Sequence, residues 1–300
     1  MSTNTPATPR GRPKTERMLQ IARQILAILT QDHPQSVRHV FYRLLDPTLP
    51  LPLPKTEAGY KCVQRALVHL RRSGQVPYSW ISDATRWGYY VSAYQHAADA
   101  LLAAAYAYRV DLWSQADTYV EVWTESRSMV GVIRDVIDEL ALPLYAAGGF
   151  TSLTLANNAA EHIGTLANGR PVRILYIGDW DPAGVLIDQK VLDELRGHLP
   201  NLDIAERRLA ITAEQAAELP SKPRKRGEKR RPDILRTVEA EAMPADALRT
   251  LLRRTAEEYL PPRALEITRM VEVQEQQSIR QMAEAVRRLG VQGAVEALAG

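Results

Sequence analysis

Three carboxylates and one tyrosine stand in contexts that can do chemistry. Asp179 and Asp181 lie two residues apart in the run Tyr176-Ile-Gly-Asp-Trp-Asp-Pro-Ala-Gly184, directly after an apolar segment, and Glu125 closes a second apolar segment, Val120-Glu-Val-Trp-Thr124. In extended chain a spacing of two puts both aspartates on one side. If the two segments are neighbouring strands, Glu125 joins them and three carboxylates converge. Such a set suits Mg²⁺, a hard cation that takes carboxylate oxygen, water and phosphate. The chemistry would be positioning a phosphodiester and stabilising its developing charge. The plain alternative is helix capping, since Asp181-Pro182 also reads as an N-cap with proline at the first helical position.

Tyr42 lies in Ser-Val-Arg-His-Val-Phe-Tyr-Arg-Leu-Leu, residues 36–45. On a helix it falls about 100° from Phe41 and one turn beyond Arg38. Phe41 would face the core while Tyr42 and Arg38 share a more exposed face. A cation beside the phenol can favour phenolate or hold a phosphate. One tyrosine among 12 can equally be an ordinary member of an amphipathic helix.

The elements that must position these groups follow from hydrophobic period and capping signals. Residues 15–31 read as a helix with Met18, Ile21, Ile25 and Leu29 on one stripe. Ser36 can cap a helix over 37–45 with the stripe Val37, Phe41 and Leu44, and Thr56 can cap a third that ends near Gly74. That third helix carries Val63, Leu67 and Leu70 on one face and Lys61, Arg65, His69 and Arg72 on another. Three short helices followed by a Pro- and aromatic-containing stretch, 75–90, predict a winged helix whose basic face, with Lys61, Arg65 and Arg72, would lie in the major groove; the same charges on a solvated face are the simpler reading. An alanine-rich helix, 92–109, bridges to a region where strands at 119–123 and 173–178 alternate with helices at 127–140, 152–167 and 183–197, which implies a parallel α/β sheet. A basic loop, 220–232, precedes amphipathic helices from 244 onward.

Residues 1–14 are polar, Pro-rich and basic, a composition that does not pack. Within them Pro9-Arg10-Gly11-Arg12-Pro13-Lys14 resembles an AT-hook. Gly11 would let the backbone approach the minor-groove floor while Arg10 and Arg12 enter its negative potential. A solvated basic tail is the alternative.

From about 119 to 260 the order of motifs resembles the Toprim region of the topoisomerase VI A subunit, a family that includes the meiotic double-strand-break transesterase. VEVWTESRSM is similar to the strand that carries the family's metal-site glutamate, which falls on Glu125. AAGGFTS resembles the glycine-containing loop after the second strand, and YIGDWDPAG resembles the Asp-x-Asp-Pro-x-Gly signature. RLAITAEQAAELP and VEAEAMPADALRTLL resemble its closing segments. The family's tyrosine motif is an arginine, two spacers, an aromatic and the tyrosine, which Arg38, Phe41 and Tyr42 fit. Composition, helical period and the resemblance together divide the chain into four expected regions: a disordered basic tail (1–14), a CAP-like winged-helix domain (15–115), a Toprim sheet flanked by helices (116–243) and a helical C-terminal region (244–300). It implies Mg²⁺ held by Glu125, Asp179 and Asp181. It also implies attack by Tyr42 on a phosphodiester of double-stranded DNA, leaving a 5′-phosphotyrosyl link, and a homodimer in which tyrosine and carboxylates of different copies meet. The sequence departs from the family in its short length, in the charged run SKPRKRGEKRRP after the signature, and in residues 262–300, which match no part of it.

Composition narrows the alternatives. With 300 residues and 45% hydrophobic content the chain can build sizeable cores. No apolar run is long enough for a bilayer, the N-terminus has no secretory apolar core, and the single Cys62 excludes an internal disulfide and a zinc ribbon. The expected location is therefore cytoplasmic, nucleoid-associated in a bacterium, with no membrane partner. The net charge of +3 is small, but basic residues gather at 9–14, 61–72 and 222–231. No Gly-x-x-x-x-Gly-Lys-Ser/Thr loop occurs, so strand passage would require a separate ATPase subunit. A tyrosine transesterase, a hydrolytic Toprim nuclease that uses water, and a non-catalytic DNA-binding accessory protein all remain open; the lack of zinc-binding cysteines argues against a Toprim primase.

Overall fold

The computed structural model describes residues 16–82, 91–148 and 153–299. The AT-hook-like tail, with Arg10 and Arg12, lies outside them, as do 83–90 of the expected wing and most of the glycine loop. Three helices open the described chain: α1 (Glu16–Gln31), α2 (Val37–Arg43) and α3 (Glu57–Arg72). Both expected caps form. The Ser36 hydroxyl accepts from the His39 N–H at 3.2 Å, and the Thr56 hydroxyl from the Gly59 N–H at 3.1 Å. Among the described residues from 16 to 82 the only strand-like pairing is an isolated bridge, Gln35 to Ile81.

After α4 (Ala97–Ala107) the chain alternates as expected: β1 (Tyr119–Thr124), α5 (Arg127–Leu140), β2 (Leu144–Ala146), α6 (Leu153–Leu166), β3 (Val172–Ile177), α7 (Gly184–His198) and β4 (Ile204–Ala210). The four strands form one parallel sheet in the order β2-β1-β3-β4. Strand residues alternate between two apolar layers. Val120, Val122, Leu175 and Ile177 face the layer that holds α5, the N-terminal helices and the later helix α9 (Ala245–Glu257). Tyr119, Trp123, Val172, Ile174 and Tyr176 face Ala160 and Ile163 of α6 and Ile187, Val191 and Leu195 of α7. The fold is therefore α/β with helices on both faces of a parallel sheet and a helical C-terminal region. Between β4 and α9 lie α8 (Ala213–Glu218) and a small antiparallel pair, β5 (Lys222–Pro223) and β6 (Arg236–Thr237), which joins the two sides of the basic run. The last helix, α10 (Ala264–Ala299), breaks helical geometry at Gly290 and packs along α4. Among the described residues no helix is long and apolar enough to cross a membrane.

The core does not divide at residue 115. Ile21, Leu29, Val63 and Leu70 of the N-terminal helices share one continuous apolar cluster with Met129, Ile133, Leu248 and Leu252. Arg249 of α9 reinforces that seam. Its guanidinium donates to the Pro34 carbonyl at 3.2 Å and the Val132 carbonyl at 3.0 Å, and pairs with the Asp32 carboxylate. The Arg249 and Asp32 side chains are only 16% and 12% exposed. Arg249→Ala would strand a carboxylate in this seam, so unfolding in urea should show a loss of about 3–5 kcal/mol. A loss below about 1 kcal/mol, the scale of a surface pair, would refute the seam's role.

Candidate functional site

In this sheet the chain leaves β1 toward β2 on one side and β3 toward β4 on the other, so the carboxyl ends of β1 and β3 frame a topological switch point, where open α/β sheets bind ligands. Glu125 follows β1 and Asp179 follows β3, and the two lie together. Glu125 Oε2 accepts from the Asp179 N–H at 3.0 Å. Both line a cleft of about 600 Å³ together with Arg38, Tyr60, Arg71, Arg127, Ser128 and Glu241. Glycine keeps the space open. A Cβ on Gly178 would come within 3.0 Å of Glu125 Oε2, and one on Gly184 within 2.5 Å of the Asp179 carbonyl oxygen.

The electrostatics are those of like charges withdrawn from water. Burial and then the Glu125 charge push the Asp179 carboxyl up to about 7, with smaller contributions from Glu241 and Glu239. Burial also raises Glu125, opposed by its bond from the Asp179 N–H. Asp179 is braced on two sides. Its Oδ1 accepts from the Ala240 N–H at 2.8 Å, and Arg208 donates to its carbonyl at 2.5 Å while pairing with Asp188.

Asp181 is placed differently from its expected partners. Its Oδ1 accepts from the Ala183 and Gly184 N–H groups at 2.8 and 2.7 Å, which is the capping geometry that Asp-Pro also predicted. It does not line the cleft; it borders a smaller cavity with Arg224, Lys225 and Arg230 of the basic hairpin. Among the described residues no three His, Cys, Asp or Glu side chains stand together as a ready metal cage. Glu121, inside β1, is not part of the site. It points into the opposite layer, where it accepts from Tyr119 Oη at 3.0 Å and Trp123 Nε1 at 2.9 Å.

The exposed placement expected for Tyr42 is corrected. The residue is 6% exposed, and its hydroxyl donates to Glu239 Oε2 at 2.9 Å. The local pattern marked only one covered side of α2. The other side is covered by the segment around Ala240–Ala242, a 3-10 turn some 200 residues later, so His39, Val40, Phe41 and Tyr42 are all buried. Burial and the Glu239 charge push the Tyr42 phenol well above its ordinary range, outweighing the opposing pull of Arg38. Arg38 remains half-exposed as expected, reaches the cleft and pairs with Glu239 at 3.0 Å. Lys61, Arg65 and Arg72 form an exposed basic face on α3, Lys61 pairing with Glu57 at 2.6 Å.

Sequence reasoning passed over Glu239, Glu241 and Ser128. Glu241 is 5% exposed and accepts from Ser128 Oγ at 2.8 Å. The available signal was the spacing of two in Glu239-Ala-Glu241, the same pattern that singled out Asp179 and Asp181.

Glu121 gives a pH prediction. Burial lifts its carboxyl from 4.5 to about 7 against the pull of its two donors. The folded state therefore holds a proton that the unfolded chain releases, so this group's stabilisation is complete below pH 4.5 and is lost as pH rises through about 7. Glu121→Gln has nothing to titrate, and its amide can accept from Trp123 and donate to Tyr119. Relative to the variant, the wild type should lose on the order of 3 kcal/mol between pH 4.5 and 8, at about 1.4 kcal/mol per pH unit. Parallel stability–pH curves for the two proteins would overturn this assignment.

No family model, no curated protein and no solved structure matches the chain.

Proposed function

We propose that this chain binds double-stranded DNA and cleaves it in a Mg²⁺-assisted transesterification, with Tyr42 as nucleophile and a Toprim-type sheet bearing the acidic residues. The observation that carries this reading is the shared cleft at the switch point: Glu125 and Asp179 from two strand ends meet Arg38, one turn before Tyr42 on α2. The donor set suits Mg²⁺, because two hard carboxylates, Glu125 and Asp179, stand together with the Glu125 charge raising Asp179, and Gly178 and Gly184 leave room beside them. Glu125 and Asp179 would hold the ion; Asp181, whose charge reaches Glu125 from the neighbouring cavity, would have to turn toward the cleft to join them. The bound ion would supply positive charge to the phosphodiester as negative charge develops on it.

The chain's own part is positioning and attack. Tyr42 Oη forms a bond to phosphorus, the bond from phosphorus to the 3′ oxygen breaks, and the phenolic proton ends on that oxygen. The product keeps one ester bond for another, so resealing remains open. The basic face of α3 and the run at 222–231 would contact backbone phosphates, within a winged-helix arrangement of α1–α3. The reading includes a homodimer in which Tyr42 of one copy serves the carboxylates of the other, and a separate ATPase subunit for any strand passage.

A second reading, hydrolysis by a Toprim nuclease with water as nucleophile, is favoured by one observation: Tyr42 is buried against Glu239 instead of facing the cleft. Incubation with supercoiled plasmid and Mg²⁺, quenched in detergent and run on denaturing gels with and without protease, separates the two. Transesterification gives broken strands whose mobility changes on protease treatment; hydrolysis gives the same breaks with no protein attached. DNA binding without breaks would refute both and leave an accessory protein.

A further inference from the structure

Beside the cleft, a separate cavity of about 220 Å³ is lined by Arg38, Lys55, Tyr60, Lys222 and Glu239, with Phe41, Thr56 and Glu57 completing its wall. Its polar arrangement is unusual. One carboxylate, Glu239, is held by three donors from distant parts of the chain: Arg38 at 3.0 Å and Tyr42 Oη at 2.9 Å on Oε2, and Lys222 at 2.6 Å on Oε1. Lys55 Nζ stands 4.7 Å from the Tyr42 ring centroid and donates to the Pro220 carbonyl at 2.7 Å. Arg38 also lies over the Tyr60 ring at 5.6 Å. The other acid of the wall, Glu57, pairs outward with Lys61. Three cations and a phenol thus gather around Glu239. Although the Glu241 charge also reaches Arg38 and Tyr42, Glu239 is, among the described residues, the one carboxylate that bonds to Arg38, Lys222 and Tyr42, so positive charge stays in excess. Burial and the neighbouring Lys222 charge lower Lys55 to about 8, which fits a pocket short of negative charge.

We propose that this cavity is a phosphodiester-binding subsite and that Glu239 fills it in the free protein as an internal competitor. The donors suit the ligand: a guanidinium, two ammonium groups and a hydroxyl are what a backbone phosphate takes, and the two carboxylate oxygens stand in for its non-bridging pair. The backbone at Glu239 is pinned without its side chain. Val238 exchanges two hydrogen bonds with Trp180, and the Ala240 N–H holds Asp179 Oδ1. The carboxylate can therefore rotate out while the chain, and the Asp179 brace, stay in place. Displacement by phosphate would leave Tyr42 Oη beside the phosphate in place of the glutamate. The inference rests on the DNA-binding reading and adds where the phosphate next to Tyr42 sits and what must leave first.

Binding, without cleavage, tests it. A short fluorescein-labelled DNA duplex is titrated in EDTA and low salt, so neither metal nor the nucleophile matters. Glu239→Gln should tighten binding about fivefold or more, because the competitor loses its charge and keeps its shape. Glu214→Gln, an exposed acid on α8, measures the general effect of deleting a negative charge and should change affinity less than twofold. The gain from Glu239→Gln should vanish when Lys55 and Lys222 are both alanine, as coupled partners require. Inorganic phosphate should raise the melting temperature of Glu239→Gln more than that of the wild type. An unchanged or weaker affinity, a gain equal to that of Glu214→Gln, or a gain that survives loss of both lysines would overturn the proposal. If the glutamine variant does not fold, Glu239→Asp, one methylene short of its donors, should also tighten binding, and its failure to do so counts against the proposal. If no variant binds duplex, the DNA reading fails by itself and the phosphate-dependent melting shift still decides the subsite.

Discussion

Tyr42→Phe should abolish both DNA cleavage and the protease-sensitive adduct, while duplex affinity stays within about twofold of wild type. The substitution removes one oxygen from a side chain whose ring is otherwise fully engaged. The ring packs edge-on against Phe41 with centroids 5.8 Å apart and lies under Lys55, and neither contact needs the hydroxyl. What is lost is the bond to Glu239 Oε2, a hydrogen bond from a buried phenol to a carboxylate. Its removal should lower stability by about 1–2 kcal/mol, which urea unfolding reads directly. The two effects together identify the role. A nucleophile loses all product and adduct with this small cost in stability. A purely structural tyrosine has the same stability cost and keeps its cleavage, because Glu125 and Asp179 are untouched. Undiminished cleavage by Tyr42→Phe would therefore remove the transesterase reading and put hydrolysis in front. Burial also sets a condition on the wild type. If Tyr42 is the nucleophile it must first be freed from its cover and from Glu239, so it should resist small phenol-modifying reagents until DNA is added.

The reach of sequence reasoning here follows how locally each feature is determined. The α/β alternation was legible because β1 and β3 are buried along nearly their whole length between helices, which leaves largely apolar runs, interrupted by charge only at Glu121 and Arg173, that are followed by carboxylates. Caps at Ser36 and Thr56 were legible for the same reason: they bond to N–H groups three residues away. The meeting of Glu125 with Asp179 required one non-local assumption, that their strands are neighbours, and parallel pairing of β1 with β3 satisfies it. Asp181 carried two readings at once, and its capping bonds are local, so the plainer reading describes its observed contacts. Tyr42 went the other way. A helical stripe reports which side of a helix is covered by its nearest partners, and α2 is covered on its second side by a segment 197 residues further along. The same long-range cover hid Glu239 and Glu241, whose significance lies in what they touch: Arg38, Tyr42, Lys222 and Ser128.

Asp179→Asn should reduce cleavage by about a thousandfold and at the same time make the protein more stable at pH 8. The two halves of this expectation come from one cause. Asp179 is withdrawn from water beside Glu125, so its charged form is disfavoured and its carboxyl is raised from 3.8 to about 7. Below pH 3.8 the folded protein bears no cost from this group; as pH rises through about 7 the carboxylate must ionise in place, and stability is lost. Asparagine keeps the volume and can still accept from the Ala240 N–H through its amide oxygen, so the brace at 2.8 Å survives without the charge. Relative to wild type the variant should gain on the order of 2–4 kcal/mol at pH 8 and almost nothing near pH 4. Mg²⁺ adds a third comparison. A cation between Glu125 and Asp179 relieves their repulsion, so it should raise the wild-type melting temperature at pH 8 and raise that of the variant much less. A residue retained for packing alone would lose stability on substitution and show no metal-dependent difference. A variant that cleaves normally, or one that is destabilised at pH 8, would contradict the assignment of Asp179 to the charge-bearing site; Glu121 shares the pH dependence without belonging to that site, so it is the loss of cleavage and the metal-dependent shift that set Asp179 apart.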